Sequence, residues 1–148
     1  MTIQPAQAAD TQILDQLMKE LMGYEHQWDD NINPNASTAG NYAQLVDRED
    51  CRLLIAREED QVLGYLCGFL FSSPFHLHPF AVLDALYVRP DARGKGCGRA
   101  LVEAFCDEAR AQGAQAMDLK VLSGNRTGRA FYDKLGFVDQ ARYLRRTL

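Results

Sequence analysis

Residues 88–101 read VRPDARGKGCGRAL, and they join an apolar, strand-like segment to an amphipathic helix through alternating glycines and basic residues. Glycines at positions 94, 96 and 98 remove the β-carbons that would keep a ligand off the backbone and permit positive φ, so that successive N–H groups can turn around an anion. The following helix points its free N–H groups and the positive end of its dipole at the same place. The stretch therefore predicts a phosphate-binding loop.

The spacing of these glycines excludes two common nucleotide motifs. A Walker loop has four residues between its glycines and continues with Lys and Ser or Thr, whereas three residues separate Gly94 from Gly98 and Arg99 follows. A dinucleotide fingerprint counted from Gly94 or Gly96 would need a glycine where Arg99 or Leu101 stands. A different phosphate compound is therefore expected, and a glycine-rich surface turn without a ligand is the simpler alternative.

A second motif, NRTGRAFYDKLGF, lies at residues 125–137. It resembles the signature Asn-x-x-Ala-x-x-Phe-Tyr-x-Lys-x-Gly-Phe of the GNAT superfamily of N-acetyltransferases, with Gly128 in place of the usual alanine. The segment RGKGCG at residues 93–98 resembles that family's acyl-CoA pyrophosphate loop, and residues 83–90 resemble its central strand. Because both motifs occur in the right order, joined by a helix and a strand, together they are more specific than either alone.

The resemblance implies an α/β, GNAT-type acyl-CoA N-acyltransferase fold, formed by a single domain over residues 1–148. Its central mixed β-sheet would have about six to seven strands, flanked by about four helices. The patterns predict a helix capped by Asp10 and ended by Gly23, a short helix at residues 38–46 and a hairpin of residues 52–57 and 62–71. Further elements are predicted as a strand at 80–88, a helix after the loop, a strand at 116–122, a helix at 127–135 and a final strand from Phe137. The short segment after Phe137 predicts a substrate-side wall that is short or is completed by a second subunit, as in a homodimer.

Charge is divided unevenly along the chain. Residues 1–82 carry 4 basic and 12 acidic side chains, whereas residues 83–148 carry 12 basic and 8 acidic ones. A basic half around the glycine loop suits a polyanionic cofactor, and an acidic half suits a cationic substrate such as an amine. The formal net charge of -4 argues against nucleic acid as a partner, because nucleic-acid binding needs a basic footprint.

The rest of the composition is that of an ordinary globular chain. The N-terminus lacks the basic and apolar regions of a signal peptide, and the longest apolar run, residues 62–71, is too short for a bilayer, so we expect a cytoplasmic protein without membrane contact. The cysteines form no Cys-x-x-Cys pair, which predicts free thiols and no metal site.

The resemblance also assigns chemistry to particular residues. Tyr132 would be the acid that hydrogen-bonds or protonates the departing CoA sulfur, and Asp84, on the central strand, would accept the amine proton directly or through water. Glu25, His26 and the pair at residues 29–30 are alternative bases, because they lie in the expected substrate region. Tyr24, Trp28 and Tyr42 either line a substrate pocket or bridge the helices to the sheet.

Acetyl-CoA is the implied co-substrate. A backbone N–H near Leu86 or Tyr87 would polarise the thioester oxygen, Asn125 would contact the pantetheine arm, and the loop amides with their basic side chains would bind the phosphates. The residues assigned to acetyl-CoA are Leu86, Tyr87, Val88, Arg93, Gly94, Lys95, Gly96, Cys97, Gly98, Arg99, Asn125, Phe131 and Lys134.

The function that follows is transfer of an acetyl group from acetyl-CoA to a primary amine, in a small molecule or in a peptide or protein, by direct attack in a ternary complex. Two alternatives remain at this point. The chain could be an acyl-CoA-binding sensor that keeps the loop without the chemistry, or an unrelated phosphate-binding module. Retention of Tyr132 and of an acidic residue at position 84 counts against the sensor.

Overall fold

The computed structural model describes residues 1–36 and 40–148. Within those residues the sheet has five strands, in spatial order β1 (Thr2–Pro5), β2 (Cys51–Glu58), β3 (Gln61–Phe71), β4 (Phe80–Val88) and β5 (Ala116–Leu119). The first four strands pair antiparallel, and β5 pairs parallel with β4. The α-helices of the same residues are α1 (Thr11–Glu25), α2 (Asn41–Leu45), α3 (Cys97–Ala111) and α4 (Arg126–Lys134). The predicted α/β class, with its mixed sheet and four helices, is confirmed.

The two faces of the sheet carry separate apolar clusters. On one face, α1 buries Leu14, Leu17 and Leu21 at helical spacing, in one cluster with Tyr42 of α2 and with residues of β2, β3 and β4. On the other face, α3 packs Leu101, Val102 and Phe105, and the half-buried aromatic residues of α4 lie beside them. The loop between β4 and α3 and the C-terminal end of α1 are therefore both attached to the same sheet.

An irregularity in β4 determines which face its side chains reach. Cys67 of β3 lies opposite Ala85 and Gly68 lies opposite Leu83, so Asp84 is the extra residue of a β-bulge. Ala81 and Leu83 belong to the α3 cluster, whereas Ala85 and Tyr87 belong to the α1 cluster. The bulge therefore shifts the alternation by one residue and leaves Asp84 at the point of the switch.

Several predicted boundaries need correction. Helix α1 does not end at Gly23 but continues to Glu25, where the His26 N–H still donates to Met22 O. The predicted helix at 38–46 is observed as α2, which is shorter. The first two predicted positions, 38 and 39, lie outside the described residues. Strand β5 stops at Leu119 rather than at position 122, because its pairing with β4 ends at the contact of Leu83 with Leu119.

The expected final strand is wrong, and so is the count of six to seven strands, for the part of the chain that the structure describes. Residues 138–148 form no strand and are exposed. They are attached by side chains instead, since the Nη1 and Nη2 atoms of Arg145 each donate to the Asp29 carboxylate at 2.8 Å. Among the described helices, none is long and apolar enough to cross a bilayer.

Candidate active site

The glycine loop adopts positive φ at two of its three glycines, while Gly98 lies within α3. Gly94 and Gly96 adopt positive φ values of 74° and 83°, and Gly96 is the residue that caps α3. A residue without a side chain leaves the first N–H groups of the helix uncovered at this cap. Lys95 and Arg99 are exposed beside it, whereas the Cys97 side chain is buried in the α3 cluster and burial raises the pKa of its thiol. The loop can therefore receive an anion on its backbone, while Cys97 packs inward as a thiol.

Arg93 is directed toward α1. Its Nε donates to Val88 O at 2.9 Å, and its guanidinium carbon lies 4.9 Å from the ring centroid of Tyr24 and 5.5 Å from that of Tyr87. Contacts of this kind attract a cation to the faces of aromatic rings. Arg93 thus connects the end of β4 with the last turns of α1, and its assignment to phosphate stays a prediction.

An opening separates the ends of β4 and β5. The ladder between them ends at Leu83 and Leu119, whereas β4 continues to Val88. Phe131 of α4 belongs to the same cluster as Leu86 and Val88, and an ideal Cβ on Gly98 would lie 3.2 Å from the Phe131 ring. The structure therefore brings the end of β4, the start of α3 and α4 together along this opening.

Lys134 lies exposed at the end of α4.

Asn125 has a structural role in addition to the predicted one. Its Oδ1 accepts a hydrogen bond from the Gly128 N–H at 2.8 Å and so caps α4. A cap of this type satisfies a backbone donor that the helix itself cannot pair. The cap accounts for an asparagine at this position without a ligand, and contact with the pantetheine arm stays a prediction.

Tyr132 lies half-buried on α4 between two other aromatic rings. Its centroid is 5.1 Å from that of Phe131 and 5.6 Å from that of Phe137, and both pairs meet edge to face. Burial, followed by the negative charge of Glu25, raises the pKa of Tyr132 to about 12. The phenol therefore keeps its proton at neutral pH and can act as a donor.

Two carboxylates accompany Tyr132. Desolvation raises the pKa of Asp84, and the charge of Lys120 partly opposes this rise. Desolvation likewise raises the pKa of Glu25, Lys120 lowers it, and the charges of Asp29 and Asp84 raise it further. The Asp84 side chain is exposed at the end of the ladder between β4 and β5. Glu25 is the common partner, because its charge acts on Tyr132 and the charges of Asp84 and Lys120 act on it, and we call these four residues the acid–base cluster.

The remaining candidate bases are engaged elsewhere. The His26 ring Nδ1–H donates to Ile32 O at 2.7 Å, within the loop that follows α1. The hydrogen bond from Arg145 is the main reason that the pKa of Asp29 is lowered, which makes this carboxylate a weaker proton acceptor. Asp30 is exposed beside it. Of the bases considered from the sequence, Glu25 and Asp84 are the two that share the cluster with Tyr132.

A cavity of about 800 Å³ adjoins Tyr132. Its lining includes Trp28, Asp29, Lys120, Tyr143 and Arg145. Trp28 packs against Gly124, where an ideal Cβ would lie 2.4 Å from the indole ring, and its ring centroid is 4.9 Å from that of Tyr24. Tyr42, in contrast, is buried and bridges α2 to the sheet through a hydrogen bond of 3.1 Å between its hydroxyl and that of Tyr65.

The site residues predicted from the sequence do not include Lys120, Tyr143 or Arg145. Lys120 could have been found by aligning the two parallel strands, since it stands one residue beyond Leu119, the partner of Leu83. Arg145 had no such signal, because its partner Asp29 is 116 residues away.

Comparison with known proteins finds a family whose sequence model matches most of this chain. The sequence model of the "Acetyltransferase (GNAT) family" matches residues 14–137. The L-methionine sulfoximine/L-methionine sulfone acetyltransferase of Pseudomonas paraeruginosa is 36% identical over 91 residues, which are 61% of this chain and 52% of that protein. The match therefore spans about half the length of that relative. The uncharacterized N-acetyltransferase YhfO of Bacillus subtilis is 26% identical over 144 residues, covering 97% of this chain and 94% of that protein.

The solved structures agree on the fold. A mutant form of the BH1408 protein from Bacillus halodurans has a TM-score of 0.90 at 22% identity, with 100% of this chain and 99% of that chain covered. An aminoglycoside acetyltransferase from an uncultured soil metagenomic sample has a TM-score of 0.77 at 15% identity, with 99% and 95% covered. At such identities the likeness extends to the fold alone.

Proposed function

The chain belongs to the acetyltransferase (GNAT) family and is an acyltransferase, and on this premise we propose that it transfers an acetyl group from acetyl-CoA to a primary amine by direct attack in a ternary complex. One observation carries the proposal: Tyr132 of α4 packs in the same apolar cluster as Leu86 and Leu119, beside the opening between β4 and β5. Asp84 lies at the point where that opening begins, and the negative charge of Glu25 acts on the Tyr132 phenol.

The glycine loop fits the phosphates of acetyl-CoA. Positive φ at Gly94 and Gly96 turns the backbone around the start of α3, and the exposed Lys95 and Arg99 add positive charge there. Beyond Leu83, the edge of β4 that faces away from β3 is no longer paired with β5, so the backbone near Leu86 and Tyr87 can face the thioester. Acetyl-CoA supplies the acetyl group as a thioester, which the deprotonated amine attacks.

Asp84 and Glu25 serve the amine side of the reaction. An alkylammonium group must lose a proton before its nitrogen can attack, and a carboxylate whose pKa is raised is a better acceptor than one in water. Asp84 lies on the β-bulge at the point where β4 and β5 separate, which favours it as the direct base. Glu25 lies at the C-terminal end of α1, and its carboxylate interacts electrostatically with Asp84 and Lys120.

Tyr132 serves the leaving-group side. Because the negative charge of Glu25 raises the pKa of the phenol, a proton arriving on Glu25 removes that effect. When Glu25 rather than Asp84 holds the amine proton, Tyr132 becomes the stronger acid at the stage at which the sulfur acquires negative charge. In that state the proton transfers at the amine and at the sulfur are coupled.

An assay of free CoA thiol tests the proposal. Purified protein is incubated with acetyl-CoA and pooled primary amines, and thiol release above the amine-free background is the expected result. Isothermal calorimetry with acetyl-CoA separates the alternatives. Binding without turnover across a broad amine panel would identify a sensor, and tight ATP binding without affinity for CoA would contradict the proposal.

A further inference from the structure

The separation point of β4 and β5 holds a cation as well as an acid. Leu83 and Leu119 are the last paired residues of the two parallel strands, and Asp84 and Lys120 are the residues that follow them. The charge of Lys120 lowers the pKa of Asp84, of Glu25 and of Asp29, which places its ammonium within electrostatic reach of all three carboxylates.

The ammonium of Lys120 contacts the face of an aromatic ring. Its Nζ lies 4.4 Å from the centroid of the Tyr143 ring. An aromatic face attracts a cation but adds no formal negative charge. Among residues 1–36 and 40–148, the ion pairs do not include Lys120, and the nearby Asp29 is instead paired with Arg145 in a bidentate contact. Lys120 therefore contacts Tyr143 at the wall of the cavity and forms no ion pair among the described residues.

A site with carboxylates beside a retained cation matches an acceptor that carries both charges. Building on the proposed acetyl transfer, we propose that the acceptor is an α-amino acid or a close analogue, whose ammonium group meets Asp84 and Glu25 while its carboxylate binds Lys120. In an α-amino acid one carbon joins the two charged groups, and Asp84 and Lys120 each follow directly on the last pair of the two parallel strands. The cavity beside Lys120 and Tyr132, of about 800 Å³, leaves room for the side chain.

The same arrangement disfavours other amines. A diamine or a polyamine would bring a second positive charge toward Lys120, and unlike an α-carboxylate that charge would be repelled. A simple alkylamine carries no group that the Lys120 ammonium could attract. The name of one relative, the L-amino acid N-acyltransferase of Escherichia coli, 35% identical over 89 residues, agrees with an acceptor of this class.

Matched pairs of acceptors test the inference. L-phenylalanine is compared with phenethylamine, and L-leucine with isoamylamine, because each pair differs only in the carboxylate. We expect kcat/KM of the wild-type protein to be at least about 10-fold higher for the amino acids, since a charged hydrogen bond contributes about 1.5 to 3 kcal/mol. Lys120→Met should remove this preference by lowering kcat/KM at least about 10-fold more for the amino acids than for the decarboxylated amines, and Lys120→Arg should retain most of it.

Lys19→Met is the matched control, since Lys19 is an exposed lysine of α1 outside the acid–base cluster, and the preference should persist in that variant. Equal or better turnover of the decarboxylated amines by the wild type would overturn the inference while leaving the proposed acetyl transfer intact. An equal loss for both members of each pair in Lys120→Met would also overturn it, because Lys120 would then act through Asp84 alone. Absence of CoA release with every amine would reject the proposed function and this inference together.

Discussion

Two parts of the molecule are organised in different ways. The first is the stretch of residues 83–137, and the second consists of the segments on either side of the cavity, residues 20–36 and 138–148. In the first, which we call the cofactor region, the geometry lies in the backbone: positive φ at Gly96, a β-bulge at Asp84 and a cap at Asn125. In the second, which we call the acceptor region, side chains make the connections, as Arg145 does with Asp29. Backbone geometry constrains which residues can occupy a position, whereas side-chain bridges can be replaced more freely. The comparison predicts that one catalytic apparatus can be combined with acceptor walls of different composition.

The largest expected effect comes from two carboxylates, Asp84 of the cofactor region and Glu25 of the acceptor region. Asp84→Asn should lower kcat by about 100-fold, a loss typical of an absent general base, and Glu25→Gln should lower it less. Because burial raises the pKa of both carboxyls, the activity of the wild type should fall with decreasing pH at a higher pH than exposed carboxylates would give, as each base becomes protonated. The measurement is kcat against pH for the three proteins.

Glu25→Gln has a second expected result that Asp84→Asn does not share. Removal of the Glu25 charge should lower the pKa of Tyr132 from about 12, because that charge is one of the two causes of the rise. NMR titration of ring-labelled tyrosine measures this pKa directly, with Tyr132→Phe identifying the signal. An unchanged Tyr132 pKa in Glu25→Gln would separate the acid from the base and would contradict the proposed coupling.

The next effect tests the cofactor region alone. Gly96→Ala places a β-carbon at a φ of 83°, which costs about 1 to 3 kcal/mol and should weaken acetyl-CoA binding roughly 10- to 100-fold, because the loop would relax from the geometry that receives the phosphates. Gly113→Ala is the matched control, since Gly113 has a φ of 84° but follows the other end of α3. Calorimetry should find acetyl-CoA binding unchanged in Gly113→Ala, and equal weakening in both variants would show that strain alone is responsible.

A smaller effect is expected from the acceptor region. Arg145→Ala releases the C-terminal segment from Asp29, so the KM for the acceptor should rise roughly 3- to 10-fold, while the KM for acetyl-CoA should stay within about 2-fold of the wild-type value. Arg110→Ala is the control, because it removes a different ion pair, that of Arg110 with Asp107 on the surface of α3, and it should change neither constant. A rise in the KM for acetyl-CoA in Arg145→Ala would show that the two regions are not separable.

Much of the cofactor region could be predicted from the sequence, because its determinants are local. The glycines, the strand at residues 80–88 and the aromatic pair of α4 are consecutive residues whose spacing carries the information. The bulge at Asp84 could not be predicted, since one extra residue leaves the apolar pattern of β4 almost unchanged. The orientation of Arg93 was also inaccessible, because it depends on Tyr24, which belongs to another element.

The acceptor region was predicted less well for the same reason. The final strand expected from Phe137 is wrong, because residues 138–148 are held by the contacts of Tyr143 with Lys120 and of Arg145 with Asp29 and not by a β-ladder. These contacts join residues that are far apart in the chain, and neither partner has a local pattern that indicates the other. The acidic character of the N-terminal half did indicate Glu25, but the cation opposite it, Lys120, came only from the strand register.

Tyr132→Phe tests the central claim most directly, because it removes one hydroxyl and leaves the ring between Phe131 and Phe137. With kcat from CoA release and the Kd of acetyl-CoA from calorimetry in the same preparation, we expect kcat to fall about 100-fold and Kd to change by less than about 2-fold. Equal losses in kcat and in acetyl-CoA affinity, or a variant as active as the wild type, would contradict the assignment of Tyr132 as the acid.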